Sequence, residues 1–386
     1  MRDLFFFGTL RDRALLSVVV GRTVDADEAP AARLPGHAPW QVAGEAYPIL
    51  RPDPAAVAEG VVFRPASADE MEAILYYEEA EYGLTQVVVE TAAGTRSAAY
   101  FAATDKIVPG PGPWSFEAWS AGAEGYDRAV ALEAAAELMP LRTTLPVALI
   151  DTAWFGIMNR ARQRVRARRT APVLGGIRSD LDQARDVAWE ALERPYNAYI
   201  SVERHRLRHR LFSGAMGPPV ERVTVAWGDG VTVLPYDPVA DRVLLIEQFR
   251  PGPAARRDPN PWCIEVPAGR IDADEDVEAA LRREAAEETG VALGRLLRLP
   301  GYYPTPGIAS EHRGSWIGEA DLSGVEGGVH GAADEGEDIR TLPMSVDAAL
   351  AALRSGAINT GPAQLLLLWL AVERPRLRAA WAGIAP

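Results

Sequence analysis

The residues best placed to do chemistry together lie in one stretch, AGRIDADEDVEAALRREAAEETGV (268–291). Gly269, Glu275, Arg283, Glu284, Glu287, Glu288 and Gly290 stand there at fixed spacing. On a helical wheel with Val277 at zero, Ala280, Leu281 and Val291 fall within about 60° of it. Glu284 and Glu288 fall on the same stripe, at roughly −20° and +20°. A carboxylate turned inward is costly unless it is paired or holds a metal, and two on successive turns repel without a cation. They offer hard oxygen ligands suited to Mg²⁺ or Mn²⁺. Glu275 and Arg283 are expected to pair and fix the preceding loop on the helix. Gly269 and Gly290 are expected to supply backbone conformations that a β-carbon would resist.

The elements that position this helix follow from the rest of the chain. Its 386 residues exceed one comfortable core, so two domains are expected. A net charge of −13 argues against binding nucleic acid or anionic membrane over the whole surface. The single cysteine, Cys263, excludes an intrachain disulfide and fits a reducing cytoplasm. The apolar run at the N-terminus is too short for a signal peptide or a span. Leu365–Val372 is too short to cross a bilayer.

Residues 1–115 read as an α+β domain, with short strands at Leu4–Phe7, Glu59–Phe63, Gln86–Glu90 and Ser97–Phe101, one helix near 68–79, and a hinge at VPGPGPW (108–114). Residues 116–192 read as a helical connector, Ala-rich around 127–138 and 181–193. Residues 193–386 read as a second α+β domain: strands near 199–206, 220–227, 230–234 and 243–249, the glutamate helix, and helices near 345–355 and 361–373. The arginine run NRARQRVRARR (159–169) lacks aromatic interleaving and is expected to be a solvated helix face. Cys263 is expected to be a buried structural thiol.

The glutamate stretch closely resembles the Nudix box, the signature of hydrolases acting on nucleoside diphosphates linked to another moiety. PWCIEVPAGRID (261–272), LRHRLFSGAM (207–216), VLPYDPVADRVLLIEQFRPG (233–252), ADEGEDI (333–339) and Pro306, sixteen residues after Gly290, resemble the ADP-ribose pyrophosphatases within it. The resemblance implies an α/β/α sandwich with an extra N-terminal antiparallel sheet. It implies metal ligation by the Ala268 carbonyl and by Glu284, Glu287 and Glu288. Glu335, with Glu337 as its neighbour, would orient or deprotonate the attacking water. Tyr199 would stack on adenine from a partner subunit, Arg222 would be an adenine-side contact, and the chain would be a homodimer joined near 196–227. On its own chemistry Arg250, ending an apolar strand, is a candidate clamp for phosphate oxygens, as against a surface ion pair.

The expected reaction is metal-assisted hydrolysis of ADP-ribose to AMP and ribose 5-phosphate. Two alternatives stand beside it: another nucleoside diphosphate sugar such as GDP-mannose, or an ADP-ribose sensor without turnover.

FFFGTL (5–10), GEAYPIL (44–50), EGVVF (59–63) and YYEEAEYG (76–83) resemble, in that order, the γ-glutamylcyclotransferase-like (AIG2-like) family. That implies a mixed β-barrel whose Phe7-Gly8-Thr9-Leu10 loop holds a ligand. On the same resemblance Glu78, four before Tyr82, would be the proton carrier, with Glu79 and Glu81 as neighbouring candidates. The family's Leu-Asp before that glutamate reads Ile74-Leu75 here, which leaves catalysis and simple ligand binding both open. The fused architecture resembles a bacterial group linked to tellurite resistance.

Overall fold

An unbroken apolar strand is the sign of a strand covered on both faces, and Leu4, Phe5 and Phe6 are buried on both. The computed structural model describes residues 2–78, 82–104, 107–122, 128–170, 177–271, 275–332 and 336–383. The chain divides into two units, Met1–Gly175 and Gly176–Pro386.

The first unit runs β1 (Leu4–Phe6), α1 (Arg13–Val20), β2 (Ala31–Val42), β3 (Pro48–Phe63), α2 (Ala68–Tyr77), β4 (Tyr82–Thr91), β5 (Gly94–Ala103), β6 (Pro109–Pro113), α3 (Phe116–Ala121), α4 (Arg128–Leu138) and α5 (Ile150–Arg169). Strand β1 pairs with β3 and β5, β5 with β4, β4 with β2, and β2 closes on β3 to complete a five-stranded barrel. Phe5, Leu34, Val62 and Val89 pack together as one core, while Leu4 and Phe6 pack with Leu15, Leu16 and Ile74 of the helices.

Two expectations for this region are corrected. VPGPGPW is no hinge: β6 adds to the edge of β2, where proline costs no ladder bond, and Trp40 Nε1 donates to the Gly110 carbonyl at 2.9 Å. The arginine run is not a solvated face either. It forms α5, whose Ile150, Ile157 and Ala161 pack on Val130 and Ala134 of α4. Arg160 and Glu137, each 1% exposed, pair at 2.6 Å, and Arg164 shares that carboxylate. A buried guanidinium is tolerated because it has this partner.

The second unit continues with α6 (Gln183–Asp186), β7 (Val187–Asn197), β8 (Ser201–His209), β9 (Val220–Ala226), β10 (Gly230–Asp237), β11 (Arg242–Phe249), α7 (Pro251–Arg256), β12 (Trp262–Glu265), β13 (Ala268–Arg270), α8 (Val277–Thr289), β14 (Leu296–Tyr302), β15 (Arg313–Glu319), β16 (Gly328–His330), β17 (Ile339–Ser345), α9 (Val346–Ser355) and α10 (Gly361–Ala382). Strands β14-β15-β10-β11-β17-β16 form the main sheet, with β12 on β11 and β13 on β10. Alternation along β10 divides its side chains. Val231 and Val233 pack with Leu281 and Ala285 of α8, and Leu234 and Tyr236 pack with Leu366 and Leu370 of α10. The result is an α/β/α sandwich. Strands β7, β8 and β9 form a separate antiparallel sheet.

The expected helix at 181–193 is a correction of a third kind. Its alanines suggested helix, yet only Gln183–Asp186 is helical and β7 begins at Val187. Cross-strand pairs win there: Glu190 meets Arg206 at 3.0 Å and Arg208 at 2.6 Å, and Glu193 meets Arg204 at 3.0 Å. No helix among the described residues is long and apolar enough to cross a membrane.

Candidate active site

Helix α8 is fixed at both ends by its own sequence. The Asp276 carboxylate caps it, accepting from Glu278 N at 2.8 Å. Gly290 ends it in the left-handed region (φ +70°), its N–H donating to the Ala286 carbonyl at 2.8 Å. Between these caps the apolar residues pin the helix to β10, and that carries Glu284 and Glu288 against β13.

Glu288 is 2% exposed and accepts a hydrogen bond from Ala268 N at 2.8 Å. Burial pushes its carboxyl up to about 9; the Ala268 N–H opposes the shift, and the charges of Glu284 and Glu337 add to it. Burial likewise raises Glu284 to about 7 against the pull of Arg283, with Glu287 and Glu337 reinforcing the rise. One backbone donor is poor compensation for a buried carboxylate. The donor set fits a divalent cation.

Arg283 organises the rest. Its Nε and Nη2 donate to Glu275 at 2.9 Å each, and Nη2 also reaches the Arg270 carbonyl at 3.3 Å. The expected pair therefore ties the loop to the helix. Its Nη1 also lies 2.9 Å from both Glu284 and Glu287. Glu284 and Glu287 are thus both engaged by Arg283, Glu287 being the more exposed of the two, and among the described residues no three acidic or imidazole groups converge at ligand distance. Glu284 and Glu288 supply two side chains, so the Ala268 carbonyl and substrate phosphates would have to complete a metal's shell.

Gly269 is needed for a different reason from the one expected. Its backbone is not in the left-handed region. A β-carbon there would stand 1.8 Å from Glu284 Oε1, so the absent side chain makes room for the carboxylate.

Of the other expected residues, Glu337 lies close enough to both buried glutamates to raise them. Its Oε2 accepts from Ala332 N at 3.1 Å, and Gly331 N donates to the Glu287 carbonyl at 3.3 Å, holding this loop on α8. Glu335 lies outside the described residues. Arg250 makes a bidentate pair with Glu265, at 2.7 and 2.8 Å, so its fork is engaged in this conformation. Tyr199, in the turn between β7 and β8, lies under Arg270 of its own chain, 4.0 Å from guanidinium carbon to ring centre. Arg222 sits on β9 with Nη1 on the Glu221 carbonyl. Exposed Pro306 lies in the turn after β14, which Val225 N joins to β9 through the Ile308 carbonyl at 2.8 Å. Cys263 is buried.

Sequence reasoning missed Arg270 and Glu265 as parts of the site. Glu265 lay within the quoted PWCIEVPAGRID stretch, but nothing in the spacing named Arg250 as its partner. The first unit also gathers its expected residues: Phe7, Gly8, Thr9, Leu10 and Glu78 line one cavity of about 150 Å³.

A carboxylate-rich helix pinned to a mixed sheet beside a glycine strand defines a Nudix-type site, and comparison agrees. Residues 227–359 match the NUDIX domain family, and residues 4–121 match the family described as gamma-glutamyl cyclotransferase, AIG2-like. An ADP-ribose pyrophosphatase of Escherichia coli (strain K12) is 38% identical over 197 residues, 51% of this chain and 93% of that protein. One from Haemophilus influenzae is 31% identical over 188 residues, 48% of this chain and 86% of that protein. A GDP-mannose pyrophosphatase of Enterobacter sp. (strain 638) is 36% identical over 149 residues, 38% of this chain and 75% of that protein. The chain belongs to the Nudix hydrolases, fused to an AIG2-like domain.

Proposed function

We propose that the C-terminal unit hydrolyses the pyrophosphate of ADP-ribose to AMP and ribose 5-phosphate, using Mg²⁺. The single observation that carries this is Glu288, buried with one backbone donor, Ala268 N, and Glu284, half-buried one turn before it beside Gly269 and sharing Arg283 with Glu287. The relatives named for ADP-ribose support the substrate. Glu284, Glu288 and the Ala268 carbonyl would hold the divalent cation, which would supply neutralisation of the pyrophosphate charge. Glu337, or Glu335 two residues before it in the sequence, takes the proton of the attacking water. Arg250, oriented by Glu265, presents its remaining edge to phosphate oxygens, and Tyr199 stacks on the base. Two copies associate through the three-stranded sheet, where Trp189, Leu192, Tyr196 and Val223 are exposed.

The test is release of AMP from ADP-ribose with Mg²⁺, beside GDP-mannose. ADP-ribose is expected to be the better substrate by kcat/KM. Preference for GDP-mannose keeps the chemistry and overturns the base and sugar assignment, while binding of ADP-ribose without turnover makes the protein a sensor.

Metal binding has its own pH signature. Both carboxyls titrate higher in the folded protein than in the unfolded chain. They favour the ion-free fold at low pH, and that contribution fades as pH rises through about 7 and about 9. The cation needs the ionised forms, so Mg²⁺ at a hundred times its Kd should raise Tm by about 5 °C at pH 8.5. At pH 6 the gain should be clearly smaller at the same concentration. Scanning fluorimetry at both pH values reads this directly, and an equal or larger gain at pH 6 rejects the site.

A second reading concerns the N-terminal unit: γ-glutamyl cyclotransfer, favoured by the cavity that collects the Phe7–Leu10 loop and Glu78. Release of 5-oxoproline from a γ-glutamyl amide tests it.

A further inference from the structure

Strand β11 carries a buried polar side chain that the chemistry described above does not use. Gln248 is 6% exposed, and its Nε2, which bears two hydrogens, has no hydrogen-bond partner among the described residues. Cys263 stands opposite it on β12, and the sulfur takes neither hydrogen. The backbone cannot turn the amide elsewhere, because β11 is paired on both sides, with β12 and with β17. A buried donor left unpaired is costly, so its retention points to a partner from outside the chain.

The position of Gln248 says which partner. Side chains alternate along a strand. Leu244 packs with Val291, just beyond α8, while Val243 and Leu245 pack with Val346 of α9 and Leu366 of α10 on the other face. Gln248 and Arg250 therefore share the α8 face with Leu244, about 7 Å apart along the strand. The charge of Arg250 reaches Glu288, and Glu265 orients its guanidinium. An uncharged donor suits this place. A lysine or arginine would repel a cation held by Glu284 and Glu288, and a carboxylate would repel phosphate. An amide N–H binds an anionic oxygen with neither penalty.

Resting on the pyrophosphatase reading, we propose that Gln248 is a further substrate-binding residue, its Nε2 donating to a non-bridging oxygen of the pyrophosphate beside Arg250. Nucleoside diphosphate sugars of either purine share that oxygen, so the contact holds their common core and does not choose between bases. No bond forms or breaks at the amide, which binds and orients.

The experiment is calorimetry of α,β-methylene-ADP-ribose, which keeps those oxygens and resists cleavage, on the full chain with Mg²⁺, beside kcat and KM for ADP-ribose. Gln248→Met keeps the length of the side chain and lacks the donor. It should weaken the analogue about thirtyfold in Kd and raise KM to match, with kcat within about threefold of wild type. Without ligand it should melt no lower than wild type, because an unpaired donor has gone. Gln248→Glu keeps the shape, sets like charge against the phosphate and should weaken binding by about a hundredfold or more. Wild-type affinity in Gln248→Met, or a melting point several degrees lower, makes Gln248 a structural residue and overturns the proposal. Where Gln248→Met does not fold, unchanged binding by Gln248→Glu overturns it. If the wild type cleaves GDP-mannose in preference, the ADP-ribose assignment fails alone, and KM of the same variants for GDP-mannose decides the role of Gln248. If the wild type neither cleaves nor binds these compounds, both fall.

Discussion

Glu288→Gln should lower kcat/KM for AMP release from ADP-ribose by on the order of 10³. The substitution keeps shape and an oxygen that can accept from Ala268 N, whose bond to Glu288 is 2.8 Å long; it removes only the charge. A metal's stabilisation of developing charge on phosphoryl oxygens amounts to several kcal/mol. At about 1.4 kcal/mol per decade of rate, losing some 4 kcal/mol gives that factor. The ion-free fold should not suffer, because burial already disfavours the charged form. The variant should therefore melt no lower than wild type without Mg²⁺ and should lose the Mg²⁺-dependent rise in Tm. A loss of less than tenfold, or a variant that melts lower without metal, would show that Glu288 is a structural residue.

The buried glutamates were legible because a helix writes its inward face into the sequence every three or four residues, and two carboxylates on that face contradict ordinary burial. Gly290 was legible for a similarly local reason, since a helix end needs a left-handed residue. Gly269 was visible as a position but not for its cause, which is a carboxylate fifteen residues away on another element. Arg250 shows the same limit. Strand end and residue type marked it, while its bidentate partner Glu265 is set by the pairing of β11 with β12, where Ile246 stands opposite Glu265. Tyr199 and Arg270 meet because the turn after β7 folds back beside β13, a long-range contact with no periodic trace. The alanines near 181–193 misled because helix propensity is weak beside cross-strand Glu–Arg pairing. The arginine run misled because one of its members has a buried partner, Glu137, on a different helix.

Gly269→Ala should lower kcat by about 10²-fold while leaving the fold intact. Strand β13 is held on β10, with Val231 opposite Gly269 and Gly230 opposite Arg270, and the backbone at residue 269 is one that alanine can adopt. The new methyl carbon would stand 1.8 Å from Glu284 Oε1 and 1.9 Å from its Cδ, far inside contact distance. The Glu284 carboxylate is held by one side-chain contact, Arg283 Nη1 at 2.9 Å, whereas the strand is tied by its ladder, so the carboxylate is the part that moves. A displacement near 1 Å at a reacting centre costs about 10² in rate. Non-additivity tests the cause. Glu284→Ala alone removes the carboxylate, and Gly269→Ala added to it should then lower kcat by no more than about threefold, because residues in contact couple strongly. Independent losses that multiply would place the effect of Gly269 in the strand rather than in its clearance for Glu284.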